Sequence, residues 1–379
     1  MKVIPIELDD RSYDIEIAQN SLSRIGVSLV SLGDVSRVVM ITDENVEPLY
    51  SEEVSESIVE RGLDVDVAVV PAGEESKSIE SAYALWEQFL EIKIDRRSVV
   101  VALGGGVVGD LSGFVAATYA RGIRFFQIPT TLLAQVDSSV GGKTAINLPN
   151  AKNMVGAFHQ PCGVLVDPLV LKSLPEDQYR SGLGEVVKYG CSLDESFFRL
   201  LENNIQTINE RSPEILTEII ARCCQLKAEI VSQDERETTG LRSLLNYGHT
   251  FGHALETASG YGRLLHGYGV ALGSALCARL ALRLSQQGDE RFKEIDESWV
   301  MRQNDLIDKL GLPTSLSDLA NLMDDKIDVS PKRLVDLMES DKKTEYGKLN
   351  FVLPTGLGKC ALVRDVSVED VVATLNNSF

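Results

Sequence analysis

Up to about residue 175, short hydrophobic runs alternate with helix-compatible stretches. The runs rich in β-branched residues are RVVMIT (37–42), DVAVV (66–70), SVVVAL (98–103), RFFQIPTT (124–131) and GVLVDP (163–168). Strands that alternate with helices in this way are typical of a mostly parallel sheet flanked by helices. The opening stretch, MKVIPIELDDRSYDIEI, alternates apolar and polar residues and predicts a hairpin at a sheet edge. The pattern therefore predicts an α/β fold.

From about residue 176 the hydrophobic pattern changes to a helical period. Long amphipathic segments such as PEILTEIIARCCQLKAEIVSQDE replace the β-rich runs. The exception is GKLNFVLPTGLGKCALVRDV near the end, which is compatible with a short added hairpin. We therefore expect an α/β domain over residues 1–175 and an all-α domain over residues 176–379.

Composition and charge limit the partners that this chain can have. With 379 residues and 44% hydrophobic content it can fill a sizeable core. Its formal charge of −19 argues against nucleic acid or an anionic membrane as a partner, because phosphate binding needs clustered Lys and Arg. An anionic small-molecule substrate must therefore meet a local basic pocket.

Cysteine usage and apolar segments predict a cytoplasmic protein. The six cysteines show no CxxC pair and no framework spacing, which is typical of reduced thiols. The N-terminus lacks the apolar stretch of a signal peptide. The most apolar late segment, VALGSALCARLALRL, is interrupted by Arg279 and Arg283 and is too short to cross a bilayer.

A glycine-rich turn follows the predicted strand SVVVAL. Gly104, Gly106 and Gly109 have the GxGxxG spacing that lets a backbone approach a pyrophosphate at a helix N-terminus. The acidic residue expected about 20 positions later is missing, but Asp43 and Asn45 at the end of RVVMIT offer an alternative ribose partner. A simple packing turn is the competing interpretation. The combination favours nucleotide binding.

Two further pairs of polar residues lie near the same predicted strand ends. Thr130 and Thr131 follow RFFQIP, where they can bond a nucleotide in the crevice at the carboxyl ends of the strands. Ordinary capping of a strand end explains them equally well. Glu74 and Lys77, in PAGEESKS, form a turn that on its own looks solvated.

The stretch AQVDSSVGGKTAINLPNAKNMVGAF reads as a basic, glycine-rich loop. It carries Asp137, Lys143, Lys152 and Asn153 among small residues, with few acidic neighbours. In so acidic a protein, two lysines on glycine-rich backbone indicate an anion pocket for phosphate or carboxylate. Exposed surface lysines are the alternative.

Residues 241–258 contain no proline, and the two glycines that follow would stop a helix. On one continuous helix, Arg242, Asn246, His249 and His253 would share a face, because their spacings are four, three and four. A solvated face more typically carries Glu and Lys, so this stripe indicates the wall of a site. Histidines with a structural role are the alternative.

A metal site is the sharpest interpretation of these histidines. His266 is expected to begin the next helix, where the positive end of the dipole would keep its ring neutral, as a ligand must be. A carboxylate should complete the site, and Glu185 in SGLGEVVKYG is attractive because Lys188 shares its face. One Glu and two His leave positions open, which is the catalytic zinc pattern. Spacing alone would select His249 and His253 as the two histidines.

Almost from end to end, the chain carries the motifs ITDENVEPLY, PAGEESKS, GGGVVGDLSGFVAATYARG, IPTTLLAQVDSSVGGKTAIN, AKNMVGAF, GLGEVVKYG, GLRSLLNYGHTFGHALE, LHG and DKK. In these motifs it resembles the 3-dehydroquinate synthases. That family converts 3-deoxy-arabino-heptulosonate 7-phosphate to 3-dehydroquinate and phosphate, in the second step of the shikimate pathway. The resemblance implies bound NAD, a divalent metal (zinc or cobalt), a homodimer, and a nucleotide-binding α/β domain followed by an all-α metal and substrate domain.

The resemblance also implies roles for individual residues. The metal ligands would be Glu185, His249 and His266, and His253 would handle protons in the substrate pocket. The other substrate-pocket residues would be Asp137, Lys143, Asn153, Lys188, Lys227, Arg242, Asn246 and either Lys342 or Lys343. Arg121 is similar to an arginine that reaches the phosphate site from the dimer mate. The NAD contacts would be Asp43, Asn45, Glu74, Lys77, Gly105, Gly106, Asp110, Thr130, Thr131 and Lys152.

One departure from the family pattern lies next to His266. The family usually reads HGEAV where this chain reads HGYGV, so Tyr268 and Gly269 replace Glu and Ala. We expect this change to remove a carboxylate beside the metal, which would alter ligand orientation or pocket polarity.

The resemblance implies transient NAD-dependent oxidation at C5, β-elimination of phosphate, re-reduction and intramolecular aldol closure. Related cyclases that make 2-epi-5-epi-valiolone or 2-deoxy-scyllo-inosose share the fold and most cofactor motifs. A metal-dependent polyol dehydrogenase of the same superfold needs no anion pocket such as Lys143, Lys188 and Arg242 would form. A non-catalytic nucleotide-binding protein would explain the glycine turn alone. The match of the lysines and Arg242 favours the dehydroquinate synthase interpretation.

Overall fold

The computed structural model describes residues 1–149, 151–260, 262–323, 327–341 and 348–378. The chain divides into two compact units. The first consists of Met1–Leu174 and Leu216–Arg236, and the second of Pro175–Ile215 and Glu237–Phe379. The first break follows Leu174, and residues 216–236 return to the first unit. The division into an α/β domain over residues 1–175 and an all-α domain over residues 176–379 stays a prediction.

A seven-stranded sheet forms the centre of the first unit. Its strands in chain order are β1 (Lys2–Ile6), β2 (Tyr13–Ile17), β3 (Val38–Asp43), β4 (Val65–Val70), β5 (Val99–Gly104), β6 (Arg124–Pro129) and, after a separate hairpin, β9 (Val164–Val166). Their spatial order is β1-β2-β9-β6-β5-β3-β4, and every pairing is parallel except that of β1 with β2. The predicted parallel sheet and the predicted edge hairpin are both confirmed.

Helices cover both faces of this sheet. They are α1 (Ile25–Ser31), α2 (Glu47–Val59), α3 (Ile79–Glu91) and α4 (Gly106–Thr118). Because successive side chains of a strand point to opposite faces, Val39 and Ile41 of β3 pack with residues of α3 and α4, whereas Val38 and Met40 pack with residues of α1 and α2. Burial on both faces explains why the central strands are continuous apolar runs.

The basic stretch that reads as a loop in the sequence is largely an antiparallel hairpin, so that prediction is wrong. A short π-helix at Ala134–Ser138 precedes strands β7 (Lys143–Leu148) and β8 (Ala151–Phe158). Gly141 and Gly142, both with positive φ, turn the chain into β7. The glycines and lysines give this stretch the composition of a loop, although residues 144–146 are buried strand residues.

The second unit is mainly helical. Its helices are α5 (Glu176–Leu193), α6 (Glu195–Asn203), α7 (Ile205–Asn209), α9 (His249–Ser259), α10 (His266–Gln286), α11 (Glu297–Lys309), α12 (Leu316–Leu322), α13 (Pro331–Asp341) and α14 (Val368–Asn376), while α8 (Pro213–Gln233) runs through the break between the units. The late exception to the helical pattern forms the hairpin of β10 (Lys348–Gly356) and β11 (Lys359–Ser367). Within the described ranges, none of the helices has the length and apolar character that crossing a membrane requires.

The continuous helix expected over residues 241–258 is not formed. A short 3-10 helix covers Leu241–Asn246, Gly248 has a φ of +80°, and α9 begins only at His249. The break lies where α10 passes close by, since a Cβ added to Gly273 would lie 2.0 Å from the Gly248 carbonyl oxygen. The supposed single polar stripe therefore belongs to two helical segments.

Candidate active site

The glycine turn has the strand–turn–helix geometry that a phosphate site needs. Strand β5 ends at Gly104, Gly105 caps the next helix, and α4 begins at Gly106. A Cβ on Gly105 would lie 2.9 Å from Thr131 Cγ2, and one on Gly106 would lie 3.0 Å from Ser138 Oγ. Glycine therefore keeps the backbone at this helix N-terminus accessible to an anion.

The other predicted nucleotide contacts follow the carboxyl ends of the two strands that flank β5. Asp43 ends β3, and its Oδ1 accepts the backbone N–H groups of Asn45 (2.9 Å) and Val46 (3.1 Å). Thr130 follows β6, and its buried Oγ1 has no hydrogen-bond partner among the described residues. Thr131 Oγ1 accepts the Ala134 N–H at 3.1 Å. The orphaned Thr130 hydroxyl and the glycine cradle fit a dinucleotide at this edge.

A polar network joins the PAGEESKS turn to α4 and the β7–β8 hairpin. Lys77, which is only 5% exposed, donates to Asn153 Oδ1 and lies 2.5 Å from Asp110 Oδ2. Asn147 Nδ2 donates to Glu74 Oε1 at 2.7 Å, while its Oδ1 accepts the Asn153 N–H at 2.9 Å. Burial raises the pKa of Asp110, and the Lys77 ammonium opposes that rise. The turn is therefore held by buried polar contacts and is not the solvated turn that the sequence suggested.

Asn147 is the member of this network that sequence reasoning missed. Its only signal was its place between Lys143 and Asn153 in a stretch already singled out. Its amide contacts one residue expected to bind nucleotide, Glu74, and one expected to bind substrate, Asn153.

The predicted anion-pocket residues of the first unit occupy the π-helix, the hairpin and α8. Lys227 Nζ donates to both the Oδ1 and the backbone oxygen of Asp137, each at 2.8 Å. Lys143 is exposed at the start of β7, and Lys152 is half-buried in β8. The π-helix that carries Asp137 also lies against the glycine turn, through Ser138 and Gly106. π-helical turns occur frequently at functional sites.

Arg121 lies in an unusual exposed turn. It has a φ of +68°, between Ala120 at +48° and Gly122 at +113°. Two successive non-glycine residues in the left-handed region are costly, and such conformations cluster at functional sites. The geometry presents this guanidinium at the surface of the first unit.

Three side chains of the second unit converge as a ligand cluster. Glu185 lies fully buried in α5, His249 is the first residue of α9, and His266 is the first residue of α10. Glu185 Oε1 lies 3.4 Å from His249 Nε2 and 3.2 Å from His266 Nε2. The three donor atoms all lie within 4.8 Å of one another. One carboxylate and two imidazoles at this spacing fit a single divalent cation with open coordination positions.

The second nitrogen of each histidine has a partner that fixes the ring. His249 Nδ1 lies 3.1 Å from the Tyr247 carbonyl oxygen, and His266 Nδ1 lies 2.8 Å from Glu256 Oε1. Since these oxygens can only accept, the hydrogen-bond pattern assigns the proton to Nδ1 in both rings. Each Nε2 is thereby directed towards Glu185, as ligation requires.

The two rings differ in their affinity for a further proton. Burial lowers the pKa of His249 to about 3, against the attraction of Glu185. Burial also opposes protonation of His266, but hydrogen bonds to the Glu185 and Glu256 carboxylates outweigh it and raise its pKa to about 10. The expectation that the helix end alone keeps His266 neutral is therefore wrong, and a cation would have to displace this proton.

Glycines let the two ligand-bearing helices approach each other. A Cβ on Gly184 would lie 2.1 Å from the Gly267 carbonyl oxygen, and one on Gly267 would lie 1.6 Å from the Ser181 carbonyl oxygen. Gly184 precedes Glu185 and Gly267 follows His266, so the backbones touch beside the ligands themselves.

The remaining predicted site residues of the second unit surround this cluster or lie outside the described residues. Lys188 Nζ is buried 2.5 Å from Glu185 Oε2, and the His253 ring centroid lies 5.4 Å from that of His249. Arg242 is 3% exposed with its Nε 3.5 Å from Glu237 Oε1, while Asn246 is exposed at the end of the 3-10 helix. Lys342 and Lys343 lie outside the residues that the structure describes.

Glu256 is the second residue that sequence reasoning missed. It lies three positions after His253 on α9, and its own spacing from His266 carries no helical signal. Tyr268 stands where the family usually has Glu, and Glu256 supplies a different carboxylate in contact with His266. Tyr268 lies near three charged residues of α5, which are Glu176, Asp177 and Arg180. Burial raises the pKa of its hydroxyl.

Comparison with protein families gives one consistent result along the chain. The model described as 3-dehydroquinate synthase N-terminal matches residues 67–181, and the model described as 3-dehydroquinate synthase C-terminal matches residues 182–344. A 3-dehydroquinate synthase of Desulforamulus reducens is 48% identical over 99% of this chain and 100% of its own length. That of Pelobacter propionicus is 44% identical over 96% of each chain.

Solved structures with the same fold are sugar-phosphate cyclases and dehydrogenases. A 2-deoxy-scyllo-inosose synthase complexed with carbaglucose-6-phosphate, NAD+ and Co2+ matches 100% of both chains with a TM-score of 0.86 and 27% identity. A 2-epi-5-epi-valiolone synthase from Streptomyces hygroscopicus with NAD+ and Zn2+ bound matches 98% of both chains, with a TM-score of 0.84 and 27% identity. An iron-containing alcohol dehydrogenase from Thermococcus thioreducens, at 15% identity and a TM-score of 0.71, shares the fold alone. The predicted fold, a nucleotide-binding-type α/β unit with a helical one, is confirmed.

Proposed function

Because the chain belongs to the 3-dehydroquinate synthase family, we propose that it converts 3-deoxy-D-arabino-heptulosonate 7-phosphate to 3-dehydroquinate and phosphate. It would thus be an NAD- and metal-dependent lyase that eliminates phosphate. The structural observation that carries this proposal is the convergence of Glu185, His249 and His266 into a ligand cluster.

NAD would bind to the first unit at the carboxyl ends of β3, β5 and β6. The N–H groups at the start of α4 suit its pyrophosphate, and the hydroxyl of Thr130 supplies an orphaned donor or acceptor. Asp43 stands where a ribose hydroxyl partner is needed. Glu74, Lys77, Asp110 and Lys152 would complete the set, with Asn147 holding Glu74 in place.

A divalent cation would bind between Glu185, His249 and His266 in the second unit. When bound, NAD supplies reversible hydride transfer at C5, and zinc or cobalt supplies Lewis-acid polarisation of the oxygens there. The Tyr247 carbonyl and the Glu256 carboxylate keep both Nε2 lone pairs directed at the cation position.

The basic side chains of this chain would orient the substrate. Lys143, Lys188 and Arg242 offer fixed positive charges to its carboxylate and phosphate groups, which supplies orientation and stabilises the leaving phosphate. Asp137 holds Lys227 in place through two 2.8 Å hydrogen bonds. His253, beside His249, would hold or pass a proton during ring opening and closure.

The other cyclases and the polyol dehydrogenases explain fewer observations. The cyclases of other specificity are 27% identical to this chain, against 48% for the 3-dehydroquinate synthase of Desulforamulus reducens. A dehydrogenase has no use for several buried or paired cations near an anionic leaving group. Both therefore serve as outcomes of the test.

The test is a product analysis. Metal-loaded protein is incubated with the heptulosonate phosphate and NAD, and phosphate, NADH and the organic product are followed by colorimetry, absorbance and mass spectrometry. We expect phosphate release, 3-dehydroquinate and no net NADH. Accumulating NADH would support a dehydrogenase, a carbocycle from a different sugar phosphate would support another cyclase, and either result would overturn the proposal.

We further propose that the protein acts as a homodimer in the cytoplasm. The exposed Arg121 in its left-handed turn is suited to act on a neighbouring subunit. The absence of a CxxC pair among the six cysteines agrees with a reducing compartment.

A further inference from the structure

Glu256 contacts the ligand cluster from outside the set of three ligands. Its Oε1 lies 2.8 Å from His266 Nδ1, and its side chain is 12% exposed. The opposite ring nitrogen, Nε2, faces Glu185. We propose that Glu256 is a positioning residue that orients His266 and strengthens its Nε2 as a donor to the divalent cation. This inference rests on the proposed metal-dependent function.

The direction of the hydrogen bond gives Glu256 this role. Once a cation had displaced the proton that Nε2 shares with Glu185, Nδ1 would keep its own proton and donate it to the Glu256 carboxylate, so that the lone pair of Nε2 would lie on the side of the other ligands. A charge-assisted hydrogen bond restricts rotation of the ring and makes the imidazole a stronger base. Both effects favour the bound cation.

The positive charges around the cluster explain why a carboxylate beside it is favourable. His249 and His266 are the first residues of α9 and α10, and the partial positive charge of a helix N-terminus acts against a nearby cation. The buried Lys188 ammonium adds a second positive charge beside Glu185. The Glu256 charge offsets these, and the Nδ1 of His249 lies against the neutral Tyr247 carbonyl instead.

The departure at Gly269 provides space for Glu256. A Cβ at this position would lie 3.3 Å from Glu256 Oε1 and 3.4 Å from its Cγ, which is a tight contact. Where the family usually has alanine, glycine lets this carboxylate lie against α10 without displacement. The chain's own sequence therefore accommodates the Glu256–His266 contact.

The competing assignment is that Glu256 is itself a ligand. Donor atoms of His253, Glu256 and His266 also lie within 4.8 Å of one another. In that arrangement His266 would ligate through Nδ1 instead of Nε2. Glu185 and His249 would then not be ligands of the same cation. The two assignments predict different amounts of bound metal in a Glu256 variant.

The experiment measures metal binding by the whole chain without substrate. Apoprotein is titrated with zinc and cobalt in competition with a chromophoric chelator, for the wild type, Glu256→Gln, Glu256→Ala and Ser259→Ala. Ser259 is the matched control, because it lies on the same helix and its hydroxyl makes a buried 2.7 Å hydrogen bond to the Leu255 carbonyl.

We expect Glu256→Ala to bind one metal with about 10- to 100-fold lower affinity, the range for loss of such a partner. Glu256→Gln, which keeps an acceptor and loses the charge, should lie between that variant and the wild type. The absorption spectrum of bound cobalt should shift in Glu256→Ala, whereas one cobalt ion should still bind per chain. Ser259→Ala should match the wild type in affinity and spectrum.

Two results would overturn the inference. Wild-type affinity in both Glu256 variants would show that the contact has no effect on the metal. Complete loss of metal in Glu256→Gln, as in His266→Ala, would make Glu256 a ligand. If Glu256→Ala does not fold, Glu256→Gln decides alone. Failure of the wild type to release phosphate would contradict the proposed function and leave the metal titration interpretable.

Discussion

At the scale of single residues, the absence of a side chain helps to set the positions of Glu185 and His266. Gly184 and Gly267 bring α5 and α10 into backbone contact beside Glu185 and His266. No larger residue fits there without moving one helix. The distance between two ligands is therefore set by main-chain contact.

Substitution Gly184→Ala should separate the ligand-bearing helices. We expect a loss of at least about 1–3 kcal/mol in the free energy of unfolding, from overpacking, together with weaker zinc binding. The control is Gly113→Ala in the first unit, where the added Cβ would lie 2.3 Å from Thr144 Cγ2. Urea denaturation and chelator competition should show destabilisation in both variants and weaker metal binding only in the first. Equal metal affinities would contradict this account.

The histidines differ in the role expected of each. His249→Ala and His266→Ala should lose bound metal, because each removes one of three ligands, whereas His253→Ala should retain it and lose activity. Metal content after dialysis, measured by atomic emission, checks this division. Stoichiometric metal loss in the His253 variant would refute it.

Residue patterns in the sequence predicted some of these roles and not others. Spacing on one helix pairs His249 with His253, yet the structure places His266, from another helix, in the cluster with Glu185. Glu185 and His266 are 81 positions apart, and residues so distant in the sequence leave no periodic signal when they converge. The three expected ligands were therefore identified together only through the family resemblance. Asn147 and Glu256 contact predicted site residues through their side chains, and no periodic spacing in the sequence marks either of them.

At the scale of elements, the turn before β5 shows how a strand start is fixed. Asp95 Oδ1 accepts the Ser36 hydroxyl at 2.5 Å and the backbone N–H groups of Arg97 (2.9 Å) and Ser98 (3.1 Å). These bonds tie the start of β5 to the segment that leads into β3. They favour the carboxylate form and lower the pKa of Asp95 to about 2.

The contribution of the Asp95 turn to the free energy of unfolding should decrease as the pH falls. Since the folded-state pKa lies below the ordinary value, the carboxylate stabilises the fold fully above about pH 4 and loses that effect as the pH falls through about 2. Asp95→Asn should therefore be less stable than the wild type at pH 7. The difference should shrink steadily in urea denaturation series from pH 5 towards pH 2. If the difference in the free energy of unfolding between the two proteins stayed constant across that range, this account of the Asp95 turn would be wrong.

Elements were predictable where one period ran uninterrupted. The parallel strands β3, β4, β5, β6 and β9 and the start of α10 at His266 follow from apolar runs and turn residues. Two predictions failed at glycines with positive φ. Gly248 breaks the expected long helix, and Gly141 with Gly142 disguises the start of β7 as loop. Both depend on close packing partners that a local pattern does not contain.

At the scale of the whole molecule, the main tension is between overall and local charge. A chain with a net charge of −19 repels an anionic substrate at long range, while its predicted site residues include several buried or paired cations. Screening limits this repulsion to about 8–10 Å at physiological salt, so at shorter range the buried or paired cations within each unit have the larger effect on an anion. Arg121 adds a charge that is presented outward.

If Arg121 serves the partner's site, inactive variants should complement each other. Arg121→Ala and His249→Ala should each have little activity. Random exchange of subunits should restore up to about a quarter of wild-type activity, because half of the dimers are mixed and each has one complete site. Phosphate release after mixing under mild denaturant measures this. Activity that stays at the level of the separate variants would place Arg121 in its own subunit's chemistry or outside it.

The different partners of His249 and His266 have a consequence for how mutations affect this cluster. His249 takes its orientation from the main chain at Tyr247, and every amino acid at that position carries the same carbonyl. His266 takes its orientation from the side chain of Glu256, which one codon change can remove. A single substitution can therefore remove the contact that orients His266, whereas a substitution at Tyr247 keeps the carbonyl that orients His249. Laboratory evolution of metal preference should find its first variants at Glu256 and on the neighbouring face of α10.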